Sequence, residues 1–190
     1  MRRLCAGLAL LAAAPCAAQT SVGARLGATY SAPVDADDGI SGRAGLGLVV
    51  FAERAVRPGL ALGAEGGVLT GGFVQEVTPA QTTGAPGTLR ARVIVLTLAP
   101  TATLGAGGAL RPELFFGPRL DLRVAESATL NGQSGFLNEY AEAMLGASLG
   151  VGVRVPAGAR TLRLDARVSR MRVTSARSEL QGELRLGLAL

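Results

Sequence analysis

Residues 110–124 read Leu-Arg-Pro-Glu-Leu-Phe-Phe-Gly-Pro-Arg-Leu-Asp-Leu-Arg-Val. Leu110, Pro112, Leu114, Phe116, Pro118, Leu120, Leu122 and Val124 fall on one parity. Arg111, Glu113, Phe115, Gly117, Arg119, Asp121 and Arg123 fall on the other. A helix would spread these charges around its circumference. Only a strand, whose side chains alternate with a period of two, collects them on one face. Two architectures use such a strand. A soluble sandwich turns the charged face to water. An outer-membrane barrel reverses the assignment and turns the apolar face to lipid.

The first 18 residues read as an export signal. Arg2 and Arg3 are its charged start, residues 4–14 its apolar centre, and Cys16-Ala17-Ala18 its small-residue end before Gln19. The apolar run falls short of the roughly 20 residues of a spanning helix, and Pro15 directly before Cys16 argues against lipidation. Residues 19–190 then form one barrel domain. Both cysteines lie in the signal, so this domain has no disulfide and no thiolate metal site. Without Arg2 and Arg3, 17 of the 19 basic residues remain against 14 acidic ones, a net of +3, and every basic residue is Arg. These arginines alternate with apolar residues instead of clustering with aromatics, which argues against nucleic acid. The 27 glycines and the absence of Trp suit closely spaced strands better than a large soluble core.

Eight segments have strand character: residues 21–30, 43–53, 59–73, 89–104, 110–124, 140–155, 161–174 and 180–190. Their connections alternate in length. Residues 31–42, 74–88 and 125–139 are long, whereas residues 54–58, 105–109 and 156–160 are short; residues 175–179 are of modest length. Short turns at one end and long loops at the other are the habit of a bacterial outer-membrane barrel. A strand of about 11 residues, rising about 3.3 Å each and tilted about 45°, crosses close to 25 Å of apolar thickness. The expected fold is an all-β, eight-stranded, antiparallel, up-and-down transmembrane barrel behind a signal peptide. The expected location is the outer membrane of a Gram-negative-type bacterium.

In that fold the charged parities meet inside. The predicted lumen holds Arg25, Arg43, Arg92, Arg111, Arg119, Arg123, Arg154, Arg163, Arg167 and Arg185. It also holds Glu53, Glu65, Glu113, Asp121, Glu142, Asp165 and Glu183. Buried charges must be paired, so these form a ladder of ion pairs, with glycines making room for the arginines. In the fourth segment Arg90 and Arg92 stand opposite Leu89, Ala91, Val93 and Val95, which puts those apolar residues on the lipid side. Residues 96–104 are apolar on both parities up to Pro100 and leave the phase open. The alternation in the seventh segment slips near Arg170. Candidates for an aromatic girdle are Tyr30, Phe51, Phe73, Phe116, Phe136 and Tyr140.

Chemistry is sparse. The chain has no His, so Ser/His and Cys/His nucleophiles are excluded from the domain. Glu113 and Asp121 sit among arginines and read as ion-pair partners, not as an acid–base pair. Asp35-Ala36-Asp37-Asp38-Gly39 opens like a calcium loop, but position 45 is Gly where such a loop needs Glu, and no acid follows until Glu53. It reads as a solvated acidic loop. Gly66-Gly67 and Gly71-Gly72 read as bulges or close packing, not as phosphate binders. No cofactor or metal is expected.

The glycine-rich segments resemble the small outer-membrane β-barrel domain of Bacteroidota-like bacteria, related in style to PorT-type and OmpA-like barrels. The stretches that carry the resemblance are Val22-Gly23-Ala24-Arg25-Leu26-Gly27-Ala28, Leu114-Phe115-Phe116-Gly117-Pro118-Arg119-Leu120 and Leu145-Gly146-Ala147-Ser148-Leu149-Gly150-Val151-Gly152. Leu162-Arg163-Leu164-Asp165-Ala166-Arg167 and the final Leu184 to Leu190 complete it. The resemblance implies an exported barrel with no shared enzyme activity. The chain departs from it in ending on Leu190 where such barrels usually carry an aromatic residue. Three functions stay open: a structural or interaction barrel, a narrow passive pore, and a soluble exported ligand-binding barrel. The expected partners are outer-membrane lipid and, through the long loops, other envelope proteins; a monomer is expected.

Overall fold

A computed structural model describes residues 20–34, 40–77, 86–105, 110–135, 142–172 and 178–189. The signal segment, the acidic loop at residues 35–39, Phe136 and Tyr140 lie outside them. Nine strands follow in order: β1 (Thr20–Pro33), β2 (Ile40–Arg57), β3 (Leu60–Val77), β4 (Gly87–Gly105), β5 (Arg111–Leu130), β6 (Gln133–Gly135), β7 (Ala143–Ala157), β8 (Arg160–Arg172) and β9 (Ser178–Ala189). Their spatial order is β4-β3-β2-β1-β9-β8-β7-β5, and β4 pairs with β5 to close the ring. Eight strands therefore form a closed antiparallel barrel, and β6 is a short extra strand on the end of β5.

Outward positions carry large apolar side chains that stay exposed. Leu26 is 62% exposed, Leu46 66%, Leu145 67% and Leu186 60%, and apolar neighbours continue around every strand of the barrel. Inward positions on the same strands carry Arg25, Glu65, Arg163, Asp165 and Arg185, all buried. The soluble alternative, which needs its apolar parity inside, is thereby overturned. Closure also removes the sheet edges that hydrocarbon cannot solvate.

The strand ends show which way is up. The turns at Pro58–Gly59 and Gly158–Ala159 are tight, with Gly59 and Gly158 at φ of 76° and 64°. The connections at the other end are longer. On that loop side the outward positions turn polar, with Arg90, Arg92, Ser127, Glu76, Arg170 and Arg172 exposed. The 12 residues of β9 rise about 28 Å at a tilt of about 45°, whereas the 20 residues of β5 rise about 47 Å. The longer strands β2 to β5 thus carry one half of the rim well above the apolar belt.

Three sequence expectations are corrected. Residues 125–135, expected within a long loop over 125–139, are strand and tight turn instead. β5 continues to Leu130 and turns through Asn131-Gly132, at φ of 50° and 83°, into β6; this is the residue pair that a two-residue hairpin turn favours. Alternation hides the strand because Ile94 faces Ala125 while Val95 faces Arg123, so Val124 is an extra residue. Before it Asp121 faces inward; after it Ala128 does. In β4, Arg92 lies outside the lumen. Ala91, Val93 and Val95 are buried, and Arg90 and Arg92 are exposed. Both parities of β4 are apolar, and the inward one is selected by Phe73, Gly71 and Leu69 across the ladder. In β8 the alternation does not slip. Ser169 and Met171 are buried, and Arg170 and Arg172 are exposed.

The girdle candidates divide. Tyr30 and Phe116 face out, whereas Phe51 and Phe73 are buried inside. One joint of the wall is incomplete. Leu98 faces Leu120 and Ala102 faces Phe116, so Pro100 stands opposite Pro118 between them. Neither can donate an N–H to the ladder.

The lipid-facing belt yields a prediction. Leu26→Arg should destabilise the barrel in vesicles by about 2–4 kcal/mol, measured as a fall in the urea midpoint. Ser127→Arg, on the polar outward stretch of β5, should leave the midpoint in place.

Candidate functional site

The inward parities of the strands converge on one buried network. Three strands contribute charges two residues apart, Arg119 and Asp121 on β5, Arg163, Asp165 and Arg167 on β8, and Glu183 and Arg185 on β9, because only alternate residues reach the axis. Space comes from glycine on facing strands. A Cβ at Gly187 would meet the side chain of Arg25 at 2.6 Å, and one at Gly27 would meet the Cγ of Arg185 at 2.9 Å.

Glu65 is the hub. Its carboxylate accepts from Arg25 at 2.9 Å, from Arg185 at 3.1 Å and from both terminal nitrogens of Arg167. Toward the loop side, Arg185 also pairs with Glu183, and Glu183 accepts from Arg119. Arg119 then grips Asp121 through two bonds, Nε to Oδ1 at 2.8 Å and Nη2 to Oδ2 at 2.7 Å, and donates to Ser169 Oγ at 3.1 Å. Toward the turn side, Asp165 lies 3.5 Å from Arg25 and 3.8 Å from Arg163. Arg163 reaches Glu53 at 3.2 Å and Glu113 at 3.0 Å, and Arg154 pairs with the same two carboxylates.

The network balances. Arg25, Arg119, Arg154, Arg163, Arg167 and Arg185 supply six positive charges. Glu53, Glu65, Glu113, Asp121, Asp165 and Glu183 supply six negative ones. Removing an ion from water costs several kcal/mol, and only close pairing offsets it. Two aromatic rings add to the offset. Arg25 lies 4.2 Å from the Phe51 ring centre, Arg167 lies 4.8 Å from that of Phe115, and Arg163 sits between the two rings at 5.7 and 5.3 Å.

Toward the loops the lumen holds an apolar cluster beside the buried polar residues Ser31, Ser169 and Gln181. Val49, Leu69, Phe73, Ala91, Val93, Val95, Met144 and Met171 pack into a plug, with Ile40 and Leu89 against it. Below the network, at the turn-side mouth, three adjoining cavities of about 260, 270 and 250 Å³ all have Arg111 and Arg154 in their walls. The described lumen therefore has three tiers: an apolar cluster, the ion-pair network and the turn-side cavities.

The remaining predicted lumen residues sit nearer the two ends of the barrel or on its outer face. Arg43 donates to the carbonyl of Ala91 at 3.2 Å near the loop-side end. Arg123 pairs with Glu126 at 2.6 Å. Arg111 is exposed at the turn-side mouth, Glu142 is exposed just ahead of β7, and Arg92 faces outward on β4. Sequence reasoning missed the apolar plug and the two aromatic plates. Phe51 and Phe115 share the parity of the charges, a signal present in the sequence. Among the described residues no cluster of His, Cys, Asp and Glu could hold a metal ion.

Comparison with solved structures identifies the architecture. Neisserial surface protein A superposes with a TM-score of 0.55 at 14% identity, covering 91% of this chain and 97% of that one. The outer membrane protein OprG from Pseudomonas aeruginosa gives 0.56 at 9% identity, with 91% and 97% covered. A major outer membrane protein from Thermus thermophilus gives 0.54 at 19% identity, with 90% and 98% covered. No family model matches the chain, and no curated protein sequence matches it. The chain has the fold of the small outer-membrane barrels. A closed barrel with an apolar exterior and a charged interior is built for a bilayer, and in Gram-negative-type bacteria that architecture belongs to the outer membrane.

The hub yields a prediction. Glu65→Gln keeps the shape but leaves three guanidiniums around a neutral amide, and should cost about 3–5 kcal/mol. Glu76→Gln, on the exposed rim, should cost under about 0.5 kcal/mol. Urea titration of the refolded variants measures both.

Proposed function

We propose that this barrel is a sealed scaffold of the outer membrane that works through the surface it raises on the loop side, and not by conduction or catalysis. The filled lumen is the observation that carries this reading. Six ion pairs' worth of charge, two aromatic rings and an apolar plug occupy the lumen above the turn-side cavities. A pore would need the plug and the network to part together, and that would leave buried guanidiniums without partners. The raised half-rim of β2 to β6 supports an interaction role. Its outward face is polar, with Arg90, Arg92, Ser127 and Glu76 exposed, and it stands clear of the belt where another envelope protein can reach it. Outer-membrane lipid is the partner of the belt below.

Planar-bilayer recording tests the reading. The inserted protein should show no discrete openings at moderate voltage, while its gel mobility shifts on heating as a folded barrel's does. Stable openings in the intact chain would make it a pore and end the proposal.

A further inference from the structure

Side-chain charge is sorted along the barrel axis. The interior holds six arginines and six carboxylates. Among the described residues, the loop side holds Arg43, Arg90, Arg92, Arg123, Arg170 and Arg172 against Glu76, Glu126, Glu142 and Glu179. The turn side holds Arg54, Arg57, Arg111 and Arg160 and no acidic residue beyond the network. Over the described residues the interior is neutral, the loop side is plus two and the turn side is plus four. Among the described residues the turn side therefore carries the larger positive excess, with no carboxylate outside the network to offset it.

That mouth is also where the cavities are. The one of about 250 Å³ has Arg111, Arg154, Arg160 and Thr161 in its wall and no carboxylate. The adjoining one of about 270 Å³ adds the hydroxyl residues Thr20 and Ser21, and the third adds Arg57. Glu53 and Glu113 border the second and third, but both are held by Arg154 and Arg163. Each cavity has the volume of about eight liquid waters, ample for a tetrahedral oxyanion and part of what bears it. Guanidinium forks match phosphate oxygens in pairs, and hydroxyls complete the shell.

We propose that the turn-side mouth is a binding site for a phosphate group, with Arg111 and Arg160 as its principal donors and Arg154 as its floor. The group belongs either to a small soluble phosphate ester or to the headgroup of a lipid in the adjacent leaflet. The site is independent of the scaffold role, which concerns the other end of the barrel.

Calorimetric titration of inorganic phosphate into the folded full-length domain in dodecyl maltoside, at constant ionic strength set with chloride, tests the site. Saturable binding is expected, weakened about tenfold or more in the Arg111→Gln/Arg160→Gln double variant. Arg92→Gln, on the outer loop-side surface, should leave it unchanged. Heat-modifiable mobility confirms that the double variant is folded, as expected for two exposed positions. A second titration in micelles doped with phosphatidylglycerol separates the sources. A weakened apparent affinity for phosphate assigns the site to a lipid headgroup; an unchanged one assigns it to a soluble phosphate ester. No saturable binding up to about 10 mM, or equal binding by the double variant, overturns the proposal.

Discussion

A guanidinium buried in the lumen of a lipid-embedded barrel has lost its water and needs a carboxylate to offset that loss. That requirement ties distant segments together. Glu65 on β3 gathers Arg25 from β1, Arg167 from β8 and Arg185 from β9, partners up to 120 residues apart. The hub can be satisfied only when the ring is closed. Register, closure and charge balance are thus one condition, and the apolar exterior follows from it, since the opposite parity is what remains for lipid.

The glycines are part of the same condition. An arginine spanning the lumen needs the facing wall to stand back, and Gly27 and Gly187 provide that recess beside Arg185 and Arg25. The same strands have Leu26 and Leu186 on the outside, exposed to lipid. Large outward and small or ionic inward residues alternate because the two solvents of the barrel ask opposite things of adjacent positions.

Much of the architecture could be read from alternation alone. Where one parity is ionic, as in residues 110–124 or 161–168, the inward face is unambiguous, and the structure puts Arg119, Asp121, Arg163, Asp165 and Arg167 at the axis. Where both parities are apolar, hydrophobicity has no preference. β4 is such a case: its inward face depends on Leu69, Gly71 and Phe73, brought across the ladder from another segment. Where one residue is added, as at Val124, the period itself inverts and a strand reads as a loop. The plug at Val93, Met144 and Met171 escapes notice because an apolar cluster inside a charged lumen has no local signature. The charge balance needs the topology before it can be counted.

The proline pair in the wall has a mechanical meaning. A barrel assembled from one chain has a joint where its first and last staves meet, and that joint is fully laced here, with eleven facing pairs between β1 and β9. The slack stitch lies elsewhere, between β4 and β5, where Pro100 confronts Pro118. Sideways tension in the surrounding film would strain that stitch before it strained the joint where the chain ends lie.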